Sequence, residues 1–334
     1  MPNPNVLTII LNYKTAPMTL RSTEAALAAM DGISGEIVIV DNDSQDGSFE
    51  AISAHIAKSG WDRVRVLQSG RNGGFGAGNN VGIRAGLADG SRPDYVYVLN
   101  SDAFPAPDAI GHLLTYLDAN PEIGFAGSYI HGEDGETHLT TFRFPSVFSE
   151  FEGAIKFGPV SKLLAAHAVP VQTPSQDSLV DWLAGASLMM RQPVLDEIGL
   201  FDETFFLYFE ETDLCLRARR AGYRTAFVPK SEVAHIGSVT TGMKGWEKVP
   251  NYWFDSRLHY FVKNHGSLYA AVATLAHLAG GGLHWLRCLV TRKPLDVKPN
   301  FLVTMARHDL RALSRAVFVF RRRKADCAKP AIGD

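Results

Sequence analysis

The segment LNSDAF ends an apolar run with side chains that could bind a metal ion. Asn100 and Asp102 follow the hydrophobic residues YVYVL and would stand at the tip of a strand. Carboxylate and amide oxygens are hard ligands, and Mg²⁺ or Mn²⁺ takes such ligands together with substrate phosphates. An aspartate at a strand end is about as often a plain turn residue, so this motif alone leaves both interpretations open.

The segment FEETDL brings three carboxylates to the start of a predicted helix. The helix macrodipole stabilises acids there, and Thr212 and Asp213 are typical residues of a helix N-terminus. Glu210 and Glu211 follow the aromatic run FFLYF. A carboxylate held against aromatic side chains can act as a general base, which makes this pair a candidate proton acceptor.

Two further polar residues stand at the ends of predicted strands. Asp41 opens the turn-forming cluster DNDSQDGS and could accept a hydrogen bond from a nucleotide base or a ribose hydroxyl. It could equally cap the next helix. His235, in VAHIGSVTTG, is followed by small polar residues. An isolated histidine is more often structural than a ligand, but its position after the carboxylate cluster favours a role in the site.

The segment NGGFGAGNN, residues 72–80, has the glycine content of a phosphate-binding loop. A dinucleotide-binding fingerprint belongs after the first strand, whereas this segment follows the third and spaces its glycines differently. We therefore expect no nicotinamide cofactor. The glycines could still let a phosphate approach backbone N–H groups at a helix start, or simply permit positive φ angles in a loop.

The elements that must position these residues alternate between strand and helix. Apolar runs predict four strands, at residues 6–11, 36–40, 64–68 and 95–99. Helical periodicity predicts four helices, at residues 17–30, 49–58, 79–87 and 108–119. This order is typical of an α/β fold with a mostly parallel sheet flanked by helices. Ligands bind outside the carboxyl ends of such strands, where Asn12, Asp41 and Asp102 would lie.

The composition excludes several classes of protein. The chain has 334 residues, of which 46 % are hydrophobic and 20 % charged, so it is globular and long enough for about two domains. Its three cysteines are widely spaced, which favours a reducing compartment. The first ten residues predict a strand and lack the basic and apolar regions of a signal peptide.

The last third of the chain differs in charge and hydropathy from the rest. Residues 291–334 carry eleven Lys/Arg and four Asp/Glu, a net charge of +7, and the remainder carries −9. Residues 268–290 have the length of a membrane span, but their glycines, histidines and Arg287 favour a helix in the membrane interface or packed under the preceding domain. Trp285 and the run RRRK at 321–324 suit an anionic membrane surface, although a solvated basic tail has the same composition. We expect no nucleic-acid partner, since no recognition fold surrounds the basic run.

Taken in order, the motifs resemble those of the family 2 glycosyltransferases with a GT-A fold, and most of all their rhamnosyltransferase-like branch. The resemblance runs from about residue 6 to about residue 266. It rests on IILNYK, VDNDSQDGS, NGGFGAGNN, LNSDAF, WLAGASLMMR, FDETFFLYFEETDLCLRARRAG and HIGS. It implies a GT-A catalytic domain over residues 1–240 and a helical, basic, membrane-associating region over 241–334.

The same resemblance implies an inverting sugar transfer from a nucleotide-diphosphate donor. The resemblance favours dTDP-rhamnose as the donor. The rhamnose would be transferred to a hydroxyl of a lipid-linked or polysaccharide acceptor in cell-surface glycan assembly. Mg²⁺ or Mn²⁺ would be held by Asp102 and His235 and would neutralise charge on the leaving diphosphate. We expect the protein at the cytoplasmic face of the bacterial inner membrane, as a peripheral protein on its anionic surface.

Individual residues inherit roles from the resemblance. Tyr13 and Asp41 would hold the base and ribose. The donor pocket beside the diphosphate would be lined by Asn72, Phe75 and Asn79. Asn100 stands where many relatives have the first Asp of Asp-x-Asp. The strand that borders the sugar and acceptor pocket contains Trp182, Gly185 and Ala186.

The presumed catalytic base departs from the family pattern. Relatives usually have Glu-Asp-x-Asp where this chain has Glu210, Glu211, Thr212 and Asp213. Glu211 therefore inherits the role of the base, with Glu210 and Asp213 as alternatives. A glutamate can perform the same proton transfer, because its reference pKa is only about 0.4 above that of aspartate.

Two other functions stay open at this point. A sugar-nucleotide nucleotidyltransferase would need a glycine-rich, basic phosphate loop after the first strand, and residues 11–17 lack one. A non-catalytic nucleotide-sugar-binding protein would be consistent with the glutamate in place of aspartate.

Overall fold

A computed structural model describes residues 4–237 and 246–312 of the chain. The described residues fall into two compact units, the first within Met1–Phe144 and Val169–Trp246, the second within Pro145–Ala168 and Glu247–Asp334. The second unit thus includes residues 145–168, which the division at residue 240 assigned to the catalytic domain. The run RRRK at 321–324 and most of the segment GSVTTG at 237–242 lie outside the described residues.

The described part of the chain contains the following strands and helices. The strands are β1 (Asn5–Asn12), β2 (Ser34–Asp41), β3 (Val64–Gln68), β4 (Tyr95–Asn100), β5 (Ala103–Pro105), β6 (Ile123–His131), β7 (Thr141–Phe142), β8 (Ser178–Val180), β9 (Trp182–Leu183), β10 (Ser187–Arg191) and β11 (Arg224–His235). The α-helices are α1 (Ala16–Ala29), α2 (Ser48–Ser59), α3 (Phe75–Ala85), α4 (Ala109–Ala119), α5 (Val147–Ile155), α6 (Gly158–Leu163), α7 (Gln192–Ile198), α8 (Glu210–Arg220), α9 (Asn251–His265) and α10 (Ser267–Thr291). Residues 301–312 are also helical.

The main sheet of the first unit has the strand order β3-β2-β1-β4-β10-β6-β11-β5, and β8 also pairs with β11. Its first four strands run parallel, as the alternating pattern predicts. Beyond β4 the sheet is mixed, because β10 runs antiparallel to both β4 and β6. The predicted α/β fold with a central sheet flanked by helices is therefore confirmed, and the four N-terminal strands lie within two residues of their predicted positions.

The parallel strands are buried on both faces. Ile9, Ile39 and Val96 are fully buried, each within a nearly continuous apolar run. Such runs are expected where helices cover both sides of a parallel sheet, and burying each large aliphatic side chain contributes about 1.5–3 kcal/mol. The register pairs Asn12 with Asp41 and Leu11 with Asn100, so the polar ends of three strands meet at one edge.

The helix predicted at 79–87 begins four residues earlier, at Phe75. The glycine-rich loop predicted before this helix is therefore shorter than expected. Gly76 and Gly78 lie inside α3 rather than before it, and Gly82 lies inside α3 as predicted. A Cβ at Gly76 would come within 2.9 Å of Phe201, one at Gly82 within 2.9 Å of Ile9, and one at Gly78 would overlap Leu11. These glycines allow a helix to pack closely on a strand, a use that glycine composition alone does not distinguish from a loop.

The second unit is built around a buried ion-pair network. Arg257 is almost fully buried and donates to Glu150 at 2.8 Å and to Asp309 at 3.1 Å. Burial by itself raises the pKa of Glu150, but Arg257 and His277 outweigh it and hold that pKa below its ordinary value. The paired charges stabilise each other where either alone would be costly.

The stretch 130–180 includes α5, which starts with a capping box between Ser146 and Ser149. The 25-residue α10 follows α9 at Gly266. Among the described helices, none combines the length and the apolar content that crossing a membrane requires.

Candidate active site

The ends of β1 and β2 form a polar cluster around Asp41. Asn12 Nδ2 donates to Asp41 Oδ1 at 2.6 Å, and Ser44 donates to the same carboxylate through its hydroxyl at 2.5 Å and its N–H at 3.1 Å. Asp41 is therefore buried and fixes the turn after β2. Carboxylate oxygens have more lone pairs than these donors use, so Asp41 can still accept a further hydrogen bond. Tyr13 follows Asn12 directly and is half-buried.

The turn after β2 is tied to the segment before α3 by Asn42, a residue that the sequence analysis missed. Asn42 Nδ2 donates to Asn72 Oδ1 at 3.0 Å and to the Gly74 carbonyl at 3.2 Å. Asn72 Oδ1 also accepts the Gly74 N–H at 3.1 Å. The side-chain oxygen of Asn72 therefore holds the loop before α3 in place. The one sequence feature that could have indicated a role for Asn42 is its position next to Asp41 in VDNDS.

The first N–H group of α3 is already used within the protein. Phe75 donates it to the carbonyl of Phe206 at 3.0 Å. Gly74 has φ +89°, and a Cβ there would overlap that same carbonyl. This N–H is therefore engaged by the chain itself and is not available to a phosphate. One turn later, Asn79 donates to the Phe75 carbonyl at 2.9 Å. Asn79 Oδ1 is buried and accepts no hydrogen bond from the described residues.

Asn100, Asp102 and His235 come together in space although 133 residues separate Asp102 from His235. The cause is strand pairing: β11 runs antiparallel to β5 and places His235 opposite Ala103. His235 Nε2 lies 3.1 Å from Asp102 Oδ1 and 3.3 Å from Asn100 Nδ2. His138, which no motif indicated, lies next to His235 with 5.9 Å between the ring centroids.

These donors suit a metal ion that is shared with a substrate. The described residues contain no cluster of three or more His, Cys, Asp and Glu side chains able to hold an ion on their own. Asp102 and His235 are both largely buried and offer one carboxylate and one imidazole. Mg²⁺ and Mn²⁺ typically bind one or two protein ligands and complete their shell with substrate phosphates and water, so this pair fits them.

Glu211 lies at the start of α8 with one oxygen held and the other unpaired. Its Oε1 accepts the N–H of Gly185 at 3.4 Å. Its Oε2 is buried and has no hydrogen-bond partner among the residues that the structure describes. Burial raises the pKa of this carboxyl above its ordinary value. A Cβ at Gly185 would lie 3.0 Å from Phe75 Cζ and 3.7 Å from Glu211 Oε1, so Phe75, Gly185 and Glu211 meet at one point.

The two rival carboxylates have different surroundings. Asp213 is fully buried, and its Oδ2 accepts from Arg217 Nε at 2.9 Å. Arg217 in turn donates to the carbonyls of Ile198 and Leu200. Asp213 is therefore part of a structural ion pair.

Glu210 is more deeply buried than Glu211, and its Oε2 likewise has no hydrogen-bond partner among the described residues. Burial raises its pKa well above the ordinary value, and the charge of Glu211 raises it further. Of the two adjacent carboxyls, Glu210 therefore has the more strongly raised pKa, and burial is the main cause in both.

The backbone just before α8 is strained. Tyr208 and Phe209 have φ values of 70° and 69°, in the left-handed region that non-glycine residues avoid. Each such residue costs about 1–2 kcal/mol, and such strain concentrates at functional sites. The turn aims the first residues of α8, Glu210 and Glu211, into the protein.

The segment from Trp182 to Ala186 connects the two halves of the site. The N–H of Gly185 bonds to Glu211, and the carbonyl of Ala186 accepts the N–H of Asn100 at 3.0 Å. Trp182 stacks on Phe142 with 4.2 Å between ring centroids and donates its indole N–H to the carbonyl of Arg143. The indole is therefore held in one orientation.

Residues 7–170 match the family model described as glycosyl transferase family 2. The chain is also 32 % identical over 216 residues to an N-acetylglucosaminyl-diphospho-decaprenol L-rhamnosyltransferase of Mycobacterium tuberculosis, covering 62 % of this chain and 68 % of that protein. This chain belongs to the family 2 glycosyltransferases. A further relative in the family is the dTDP-rhamnosyl transferase RfbF of Shigella flexneri, 23 % identical over 233 residues, which cover 70 % of this chain and 69 % of that one. The rhamnosyltransferase-like branch predicted from the motifs is thereby confirmed.

A solved glycosyltransferase structure shares the fold. The structure titled GalNAc-T7 with UDP, GalNAc and Mn²⁺ superposes with a TM-score of 0.56 at 15 % identity, over 92 % of this chain and 55 % of that chain. At this identity the likeness concerns the GT-A fold alone. That neighbour was solved with Mn²⁺.

Proposed function

We propose that this family 2 glycosyltransferase transfers rhamnose from dTDP-rhamnose to a hydroxyl of a lipid-linked glycan acceptor, with inversion at the anomeric carbon. The observation that carries the proposal is Glu211, whose buried Oε2 is unpaired among the described residues and whose pKa is raised by burial. A carboxylate in this state can take a proton from an acceptor hydroxyl. The relatives named for rhamnosyl transfer support rhamnose, and one is named for a diphospho-decaprenol acceptor.

In the proposed reaction Glu211 removes the proton of the acceptor hydroxyl. The freed oxygen attacks the anomeric carbon from the face opposite the diphosphate. The bond between the anomeric carbon and the diphosphate oxygen breaks, and the electron pair leaves with the nucleoside diphosphate. Gly185 holds Glu211 Oε1 in place, so that Oε2 is the oxygen directed to the acceptor.

The donor would lie along the edge formed by β1, β2 and β4. Tyr13 and Asp41 would contact the base and ribose, and Asn72, Phe75 and Asn79 would line the pocket beside the diphosphate. Asp102 and His235 would hold Mg²⁺ or Mn²⁺, which when bound neutralises negative charge on the leaving diphosphate. Asn100 would keep His235 oriented through the contact at 3.3 Å. Trp182, Gly185 and Ala186 would border the acceptor.

We further propose that the catalytic part corresponds to residues 1–240 and that the region 241–334 attaches the enzyme to the cytoplasmic face of the bacterial inner membrane. A lipid-linked acceptor would be available at that surface. The enzyme would then be a peripheral protein of cell-envelope polysaccharide synthesis.

The test is a transfer assay with the full chain, dTDP-rhamnose, Mg²⁺ and a short-chain N-acetylglucosaminyl-diphospho-polyprenol. The proposal predicts a disaccharide lipid with an inverted anomeric configuration by NMR. In a matched thermal-shift panel, dTDP-rhamnose should raise the Tm with increasing concentration, because a ligand that binds the folded state stabilises it. A Tm that responds only to uridine-diphosphate sugars would overturn the choice of donor. Binding without transfer to any hydroxyl acceptor would favour a non-catalytic sugar-nucleotide-binding protein.

A further inference from the structure

The exposed face of α10 is more apolar than its buried face. The exposed fractions of Leu268, Leu275 and Val290 are 81 %, 64 % and 74 %. The buried face consists of small and polar residues, namely Ala270, Ala273, Thr274, Gly280, Gly281, His284 and Cys288. Helices in a water-soluble protein place their large aliphatic side chains in the core, so this pattern is inverted.

The exposed aliphatic residues form one continuous stripe. Six exposed residues make up what we call the apolar stripe of α10, namely Leu268, Val272, Leu275, Leu283, Leu286 and Val290. Their spacing keeps them on one side of the helix over 22 residues, a rise of about 33 Å. α10 contains no Asp or Glu. A stripe of this length exceeds the scattered apolar residues that are normal on a surface, and indicates an apolar partner.

The net charge of the second unit and the residues next to the stripe favour an anionic partner. Residues 145–168 and 247–312 carry 11 Lys/Arg and 6 Asp/Glu, a net charge of +5. Arg292 and Lys293 follow the stripe directly and are exposed. Trp285 stands at the edge of the stripe with half of its surface exposed. Aliphatic residues on one face, a tryptophan at the boundary and basic residues beside them are the features of a helix that lies in an anionic lipid interface.

We propose that the apolar stripe of α10 inserts into the headgroup region of an anionic bilayer, with the helix axis parallel to the membrane plane. The buried face of α10 stays packed in the second unit, so no part of that unit has to unfold. The proposal rests on the proposed function only in giving membrane attachment a purpose, namely access to a lipid-linked acceptor. Vesicle binding needs neither donor nor acceptor, so it is tested separately from catalysis.

The experiment is a vesicle flotation assay with the full chain and phosphatidylethanolamine vesicles containing phosphatidylglycerol, without donor or acceptor. The stripe variant is Leu275→Glu with Leu286→Glu. The matched control is Leu139→Glu with Leu179→Glu, which adds the same charge at leucines that are 46 % and 54 % exposed in the first unit. The wild type and the control should float, and the stripe variant should lose at least about tenfold in partitioning, since even one buried leucine contributes that much. Equal flotation of the stripe variant, or no flotation of the wild type, would overturn the proposal.

A second measurement distinguishes lipid from protein as the occupant of the stripe. Vesicles that contain brominated lipids should quench the fluorescence of Trp285, and Trp285→Phe should abolish most of that quenching. If the stripe variant instead converts a dimer to a monomer in light scattering, with flotation unchanged, the stripe is an interface between copies and the proposal is wrong. The proposal is also wrong if the quenching persists unchanged in Trp285→Phe.

Discussion

Gly185 donates its backbone N–H to Glu211 Oε1 at 3.4 Å, while the other oxygen of Glu211 is buried without a partner among the described residues. The next residue, Ala186, accepts the N–H of Asn100. Two consecutive residues, Gly185 and Ala186, therefore connect the proposed base with the strand end next to Asn100 and Asp102. In the proposed reaction these two places would hold the hydroxyl that attacks and the diphosphate that leaves.

The first prediction concerns the space at Gly185. In Gly185→Ala the new methyl group would lie 3.0 Å from Phe75 Cζ and 3.7 Å from Glu211 Oε1, so the ring or the carboxylate must move. We expect kcat to fall at least about tenfold, because small displacements of a catalytic group are costly. Gly111→Ala, in α4 with no atom within 4 Å of the new Cβ, is the control and should keep full activity. Full activity in both variants would show that this contact does not position Glu211.

The second prediction concerns the metal ligands. In Asp102→Asn and His235→Ala we expect Mn²⁺ to bind more weakly by about tenfold or more, measured by isothermal titration in the presence of dTDP-rhamnose. Removal of divalent ions with EDTA should stop transfer by the wild type, and added Mn²⁺ should restore it. His112→Ala alters a partly exposed histidine of α4 and should leave Mn²⁺ affinity unchanged. Unchanged affinity in both ligand variants would remove the metal from these residues.

The third prediction concerns the stability of the buried pair Glu210 and Glu211 as a function of pH. Burial raises the pKa of Glu210, whereas the unfolded chain loses this proton near the ordinary glutamate pKa. Between those two values the folded state binds more protons than the unfolded state, so stability falls as the pH rises. Glu210→Gln cannot ionise, and its Tm should exceed that of the wild type by more at pH 8 than at pH 5. The exposed Glu24→Gln serves as control; an equal Tm difference at both pH values for Glu210→Gln would contradict the assignment.

The fourth prediction compares two glycines with similar φ angles. Gly47 has φ +85° with nothing within 4 Å of an added Cβ, whereas a Cβ at Gly74, φ +89°, would overlap the carbonyl of Phe206. Gly47→Ala should cost about 1 kcal/mol from backbone strain alone. Gly74→Ala should cost about 4 kcal/mol or more in urea unfolding, because Gly74, with ψ −172°, lies in a region that only glycine adopts and the new Cβ would also break the contact that holds the start of α3. Similar losses in the two variants would show that the Phe206 contact contributes little.

Sequence patterns predicted the strands that carry the site better than the contacts within it. The runs that became β1 to β4 are mostly apolar, so their positions and their common edge followed from local pattern. The approach of His235 to Asp102 depends on the pairing of β11 with β5, which no local signal specifies. Here the family motifs supplied what periodicity could not.

For the glycine-rich segment at residues 72–80, by contrast, the local pattern was misleading. Its composition suggested a loop, but Gly76 and Gly78 serve close packing of α3 on Phe201 and Leu11, residues distant in sequence. The role of Asn42 was missed for the same reason, since its partners Asn72 and Gly74 lie 30 and 32 residues away. The place of 145–168 in the second unit likewise depends on Arg257, whose partner Glu150 lies 107 residues earlier.

The most direct test of the account is the turnover of Glu211→Gln. Gln keeps the size and the hydrogen bond from Gly185 but cannot accept the acceptor's proton. With dTDP-rhamnose, Mg²⁺ and an N-acetylglucosaminyl-diphospho-polyprenol we expect kcat to fall by about 10²–10⁴-fold, with the donor Kd unchanged within about threefold. The exposed Glu24→Gln should match the wild type. Near-normal kcat in Glu211→Gln, with donor binding intact, would contradict the assignment of Glu211 as the base.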